Sequence, residues 1–324
     1  MNPIEINTVS VVIPIFNGES TIEKLVEVVI KTLEPKYNHV EIILVNDGSS
    51  DDSHACALRA FKKYPDNLKY IQLAKNFSEH NAVMAGLNYV SSDCVCIIDD
   101  DFQNPPSEVI KLVEKLKEGY DVVYSYYAKK KHHWFRNLGS TFNDWIATKL
   151  LKKPIGLYLS SFKVMHKTLV NNVIKYNGPF PYIDGILLRS TNRIGTQLVT
   201  HEYREDGQSN YTFTRLIRLW LNMFTGFSIV PLRVASFIGI IMFVITPFLI
   251  LFYALSHQIG GVFVKQVIPP GWASIIILVN FFGGLQLLVL GIIGEYIGRL
   301  FLTANQSPQF VVRKAYTKKE IYEC

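Results

Sequence analysis

Between Arg233 and Glu295 the sequence carries one formal charge, Lys265. So long an uncharged stretch cannot be the surface of a soluble domain. It contains two apolar runs, VASFIGIIMFVITPFLILFYALS from Val234 to Ser256 and WASIIILVNFFGGLQLLVLGII from Trp272 to Ile293. Each supplies about the 20 apolar residues that cross a hydrocarbon core. Pro247 would break a soluble helix but is tolerated in a membrane-spanning one. Asn280 and Gln286 are polar but uncharged, at modest cost if they face another helix, and Gly283, Gly284 and Gly291 permit close helix contact without requiring it, so a homo-oligomer is allowed rather than implied. The alternative, two core helices of a soluble protein, fails because nothing else in 324 residues is large enough to surround them. Arg215, Arg218 and Arg233 precede the first run, and Arg299, Arg313, Lys314, Lys318 and Lys319 follow the second. The positive-inside rule then expects a two-helix transmembrane hairpin over residues 232–300, with both termini in the cytoplasm and 301–324 as a cytoplasmic tail. The N-terminus lacks the charged and apolar regions of a signal peptide.

Two further segments read as interfacial helices. Residues 137–152 include TFNDWIATKLL, with Phe142, Trp145, Ile146 and Lys149 at helical spacing; residues 212–230 begin TFTRLIRLWLNMF, with Arg215 and Arg218 beside Leu216, Leu219 and Trp220. Ordinary core helices remain open for both. The net charge of +6 is far below the Lys/Arg density of a nucleic-acid binder and suits anionic headgroups or a phosphorylated substrate. Cys56, Cys94, Cys96 and Cys324 show neither zinc spacing nor a disulfide framework, and Cys94 and Cys96 read as small core residues of one sheet face, in keeping with a reducing cytoplasm.

Residues 1–215 alternate strand and helix patterns. VSVVIPIF from Val9 is a buried strand ended by Asn17-Gly18, and the helix from Ser20 to Leu33 starts with a capping-box pattern, Ser20 and Glu23. VEIILVND (Val40–Asp47), LKYIQLA (Leu68–Ala74) and Asp93–Asp99 are further strands, with helices over Asp51–Tyr64 and His80–Tyr89 between them. Such alternation predicts an α/β fold with a mostly parallel, Rossmann-like sheet, whose ligands bind beyond the carboxyl ends of the strands.

Three strand ends are therefore the candidate site. The first offers Pro14, Phe16, Asn17 and Glu19; the second Asp47, Gly48, Ser49 and Asp51; the third is Asp99-Asp100-Asp101-Phe102-Gln103. Carboxylates two apart at a strand end point to one side, so Asp99 and Asp101 can converge with Asp100 turned away. Oxygen ligands of this kind suit a hard divalent cation, Mg²⁺ or Mn²⁺.

SVVIPIFNGEST, ILVNDGSSDDS, NFSEHNAVMAGL and IIDDDFQNPP, in this order and spacing, resemble family 2 glycosyltransferases of GT-A fold. The later REDGQSNY, the two apolar runs and GEYIGRLF narrow the resemblance to the polyprenyl-phosphate glycosyltransferases, over essentially the whole chain. The resemblance implies that Pro14, Asn17 and Glu19 lie beside the nucleoside of a nucleotide diphosphate sugar, with Asp47 at the base or ribose. It makes Asp99 and Asp101 the DxD pair that serves nucleotide and metal, with Asp101 and Gln103 as direct metal neighbours. Arg204 in REDGQS would meet the diphosphate or the acceptor phosphate, where its paired donors suit phosphate oxygens, with Ser209 and Tyr211 nearby. His80, Asn81 and Ser161 fall on the sugar side, with a structural cap the alternative for His80 and Asn81; His166, Asp184 and Asn210 are further candidates for that pocket. Two positions depart from the pattern. Asn210 stands where relatives carry a lysine, and Ser161 where many carry an aspartate.

The implied reaction is inverting transfer of one hexose-type sugar, UDP-linked by similarity to bacterial members, to a polyprenyl phosphate, undecaprenyl phosphate by the same similarity. It would take place at the inner (cytoplasmic) membrane and supply cell-envelope glycan modification. A phosphate monoester with a second pKa of about 6 is already nucleophilic at neutral pH, so the aspartate missing at 161 is not required as a base. A processive polysaccharide synthase would need more spans and a Q-x-x-R-W motif, which the sequence lacks. A transferase to a lipid or sugar hydroxyl would need the base. A non-enzymatic lipid-binding scaffold would have no use for Asp99, Asp101 and Arg204.

Overall fold

The computed structural model describes residues 5–127, 153–154, 156–200, 202, 232–241, 244–245, 248 and 271–318. The expected interfacial helices, most of the first apolar run, and Arg204, Ser209, Asn210 and Tyr211 lie outside them.

The chain divides into two units, one of residues 1–213 with 306–324 and one of residues 214–305. The first is built on β1 (Thr8–Ile15), α1 (Ile22–Leu33), β2 (His39–Asn46), α2 (Ser53–Lys63), β3 (Leu68–Leu73), α3 (Glu79–Leu87) and β4 (Cys94–Ile97). It continues through α4 (Ser107–Lys117), β5 (Val122–Tyr127), β6 (Lys163–His166), α5 (Lys167–Val173), α6 (Ile183–Ser190) and β7 (Ile194–Val199). All eight strands, including a last one, β8 (Val312–Tyr316), form one sheet in the order β7-β5-β6-β4-β1-β2-β3-β8. β3-β2-β1-β4 are mutually parallel, β6 runs antiparallel between β4 and β5, and β8 closes the β3 edge antiparallel.

β1 and β2 are apolar almost throughout because both their faces are covered. α1, α2 and α4 pack on the face carrying Val9, Val11, Ile13, Ile42, Leu44, Cys94 and Cys96. α3 covers the other face, where Gly86 lies against Val12, Ile43 and Val45. Cys94 and Cys96 are thus core residues of one face, as their spacing implies. The N-cap of α1 lies one residue later than the capping-box reading: it is Thr21, without a side-chain cap bond, and Glu23 instead holds Arg59 of α2 at 2.8 Å.

The expected tail also contains structure. β8 pairs with β3 in the register Tyr70↔Tyr316 and Ile71↔Ala315, Ala74 N donates to Val311 O at 2.9 Å, and Gln309 donates to Tyr176 O. Exposed Lys and Arg side chains at 313 and 314 masked this strand, since an edge strand is alternately polar.

In the second unit, α7 (Trp272–Ala304) is one 33-residue helix, extending past the Ile293 limit of the apolar run. Its stretch Phe281–Ala304 has a mean hydropathy of 1.7 and is long and apolar enough to cross a membrane. Arg299 and Glu295 pair one turn apart near its end, 2.8 Å between Nη2 and Oε1. Of the first run, Leu232–Ile241 forms a short apolar helix.

Candidate active site

The order β3-β2-β1-β4 places a topological switch point between β1 and β4, and the expected strand ends meet there. Pro14 helps to open it. Val12 O accepts from Ile98 N at 3.1 Å, and Val12↔Ile97 is the last β1–β4 pair. Pro14, two residues on, faces the same side, so its missing N–H falls where β4 has already ended.

The loops after β1 and β2 are bonded to each other. Asn17, at φ 58°, donates its N–H to Ser49 Oγ at 3.0 Å and accepts from Ser50 N at 2.9 Å through Oδ1. Gly18 N donates to Ser53 Oγ at 2.9 Å, Glu19 N to Asp51 Oδ2 at 3.1 Å, and Glu19 Oε2 accepts from Asp52 N at 2.8 Å. Asp47 Oδ1 accepts from Phe77 N at 2.6 Å, tying in the β3–α3 connection. Gly48 is held at φ 69°, and a Cβ there would lie 2.5 Å from Asn76 N. The structure therefore brings Pro14, Asn17, Glu19 and Asp47 together, and three of them spend side-chain acceptors fixing loop shape.

The third strand end adds the acids. Asp100 turns toward the first loop, where a Cβ on Gly18 would fall 2.5 Å from its Oδ2. Asp101 Oδ1 accepts from Gln103 N at 3.1 Å, and Gln103 O accepts from Glu202 N at 3.0 Å. Ser161 is brought beside Asp99 by the antiparallel β4–β6 register, in which Ile97 faces Lys163, and its hydroxyl donates to Asp99 Oδ2 at 2.6 Å. Burial, then the charges of Glu79 and Asp101, push the Asp99 carboxyl up to about 7, against the Ser161 hydrogen bond and the Lys163 charge. An anionic site this crowded is one a divalent cation would relieve. No group of three His, Cys, Asp or Glu side chains converges as a metal cage among the described residues. Mg²⁺ is commonly held by one or two carboxylates together with substrate phosphates and water.

Lys163 was not anticipated. It interrupts the apolar FKVM pattern, is 3% exposed, and pairs with Asp184 of α6 beneath the Asp99 end of β6. Tyr124 donates to the same Asp184 carboxylate at 3.0 Å, and Lys163 Nζ lies 5.0 Å from the Tyr124 ring centroid. A lone lysine in an apolar strand, with an acid elsewhere in the chain, was the available signal. Asp184 thus sits beneath the Asp99 end, bonded to Lys163 and Tyr124, while His166 lies elsewhere. It pairs with Cys94 at the opposite end of β6 and caps α5 through Thr168 N.

His80 packs edge-on against Tyr182 at 5.3 Å, and burial pushes its imidazole down to about 4, keeping it neutral at physiological pH. Asn81 donates to Phe77 O at 2.6 Å; its buried Oδ1 has no hydrogen-bond partner among the described residues.

A mostly parallel sheet with acidic strand ends around a switch point is the GT-A type of glycosyltransferase fold once set beside known proteins. The family model for glycosyl transferase family 2 matches residues 10–180, and the chain belongs to that family. It is 31% identical to undecaprenyl-phosphate 4-deoxy-4-formamido-L-arabinose transferase of Proteus mirabilis over 98% of this chain and 96% of the relative. It is 30% identical to an uncharacterized glycosyltransferase of Bacillus subtilis over 95% and 94%. Among solved structures, glucosyl-3-phosphoglycerate synthase from Mycobacterium tuberculosis, in complex with Mn²⁺, UDP and phosphoglyceric acid, shares the fold. The TM-score is 0.51 and the identity 19%, covering 68% of this chain and 76% of that one.

Proposed function

We propose that this glycosyltransferase moves one sugar from a nucleotide diphosphate sugar to a polyprenyl phosphate at the cytoplasmic face of a membrane, with inversion at the anomeric carbon. The observation that carries the reading is the 31% identity to an undecaprenyl-phosphate transferase over 98% of this chain; Ser161, donating to Asp99, stands where the resemblance would put an aspartate. Near-full-length similarity to undecaprenyl-phosphate transferases supports the acceptor, and the apolar α7 supports the bilayer.

The nucleoside end of the donor would lie against the interlocked loops of Asn17, Glu19 and Asp47, beside Pro14. Asp99 and Asp101, with Gln103 close by, would hold Mg²⁺ or Mn²⁺, which when bound supplies Lewis-acid neutralisation of the diphosphate. Ser161 then fixes the Asp99 carboxylate instead of taking a proton. An acceptor phosphate oxygen attacks the anomeric carbon as the bond to the diphosphate oxygen breaks, and the leaving group departs as a nucleoside diphosphate with the bonding pair. Because the acceptor is a dianion at neutral pH, no proton need be removed. Arg204, with Ser209 and Tyr211, would meet the phosphates as fixed donors. His80, Asn81, Ser161 and Asp184 are the sugar-side group. Both termini and the catalytic unit are cytoplasmic in this reading, and residues 232–300 form the hairpin anchor.

The test is a panel of labelled nucleotide sugars offered to the purified full-length protein with undecaprenyl phosphate and Mg²⁺. One of them is expected to give a labelled lipid; folded protein yielding none with any donor would sink the reading.

A further inference from the structure

The strand that follows the long apolar helix makes more than an edge. Tyr316 of β8 sits opposite Tyr70 of β3, and the rings stack with centroids 5.3 Å apart and planes 16° from parallel. His54 and Phe61 of α2 complete the aromatic group, 6.4 Å and 6.2 Å from the Tyr316 centroid. Tyr70 is fully buried. Its hydroxyl meets His54 Nδ1 at 2.8 Å and accepts from Asn46 Nδ2 at 3.2 Å. Asn46 ends β2, and its Oδ1 accepts from Ser49 N at 2.8 Å. Ser49 Oγ in turn accepts from Asn17 N at 3.0 Å. An unbroken series of contacts therefore runs from the Tyr316 ring to both loops at the β1 and β2 ends. Asn17 holds a left-handed conformation that costs a non-glycine residue energy, and its bonds to Ser49 and Ser50 keep it there.

We propose that Tyr316 is a positioning residue for the nucleotide end of the donor site, acting through Tyr70 and Asn46 on the Ser49 loop. The inference rests on the donor reading above. A strand that merely covered the β3 edge would affect stability without distinguishing donor from acceptor.

The experiment is calorimetric titration of uridine diphosphate and guanosine diphosphate, with Mg²⁺, into the full-length protein in detergent, alongside acceptor KM. Tyr316→Ala is expected to weaken nucleoside diphosphate binding between about twofold and tenfold, the scale of one aromatic pair, with acceptor KM unchanged. Tyr316→Phe keeps the ring and is expected to bind as wild type. Tyr70→Phe keeps the stack and the fold but removes the hydroxyl link, and is expected to weaken binding as Tyr316→Ala does. Wild-type binding with both Tyr316→Ala and Tyr70→Phe unaffected would overturn the inference alone, as would equal losses for donor and acceptor. Folded wild type that binds neither nucleotide would overturn the donor reading and the inference with it.

Discussion

Asp99 joins the chemistry of the site to the stability of the fold. Its carboxyl titrates near 7 in the folded, metal-free protein and near 4 in an unfolded chain. Between those values the folded state holds the extra proton, so stability falls as pH rises through that window. Across part of the same window His80, whose imidazole burial holds near 4, works the other way, so the Asp99 contribution is read by difference. The melting temperature of metal-free wild type minus that of Asp99→Asn is expected to fall from pH 5 to pH 8, and Mg²⁺ should raise wild type at pH 8 and do little at pH 5. A difference that stays constant between the two pH values would speak against this charge balance. Ser161→Ala removes the donor that fixes Asp99 and is expected to raise the Mn²⁺ concentration for half-maximal activity by about 10–100-fold. The acids at 99 and 101 were legible in the sequence because three consecutive aspartates at a strand end have few uses. The partnership of Ser161 with Asp99 was not, since it depends on the β4–β6 register across 62 residues. His166 was misplaced for the same reason: in a strand of four residues, three positions separate the site end from the far end.

At the scale of elements, β6 and α6 are joined by the Lys163–Asp184 pair, with side chains 4% and 10% exposed. Lys163→Met would strand a buried carboxylate and is expected to cost about 3–5 kcal/mol, while adding Asp184→Leu should recover much of the loss. Denaturant titration of the single and double variants checks both; a double variant no better than the single would contradict the pairing argument. The central strands and α1–α3 were readable because continuous apolar runs and 3.6-residue periodicity survive in the sequence. β8 was not. Val312–Tyr316 is half polar, and what makes it a strand is the free edge of β3, some 240 residues earlier, counting from Tyr70 to Tyr316.

The whole molecule places that strand after the apolar helix, so the catalytic unit is completed by chain that follows the helix. A piece ending at residue 231 therefore loses β8 along with the apolar runs. It is expected to melt lower than the same piece carrying residues 306–324 on a flexible linker; equal melting would mean β8 contributes nothing to the unit. The apolar runs were legible from charge alone, whereas the completion of the sheet by residues beyond them required the strand order. The assay that bears most directly on the proposed chemistry compares labelled sugar transfer to undecaprenyl phosphate and to undecaprenol, under the same donor and Mg²⁺. Transfer to the phosphate and none to the alcohol is the expected result. Efficient transfer to the alcohol would contradict the account, because a hydroxyl acceptor needs a base that Ser161, bound to Asp99, does not provide.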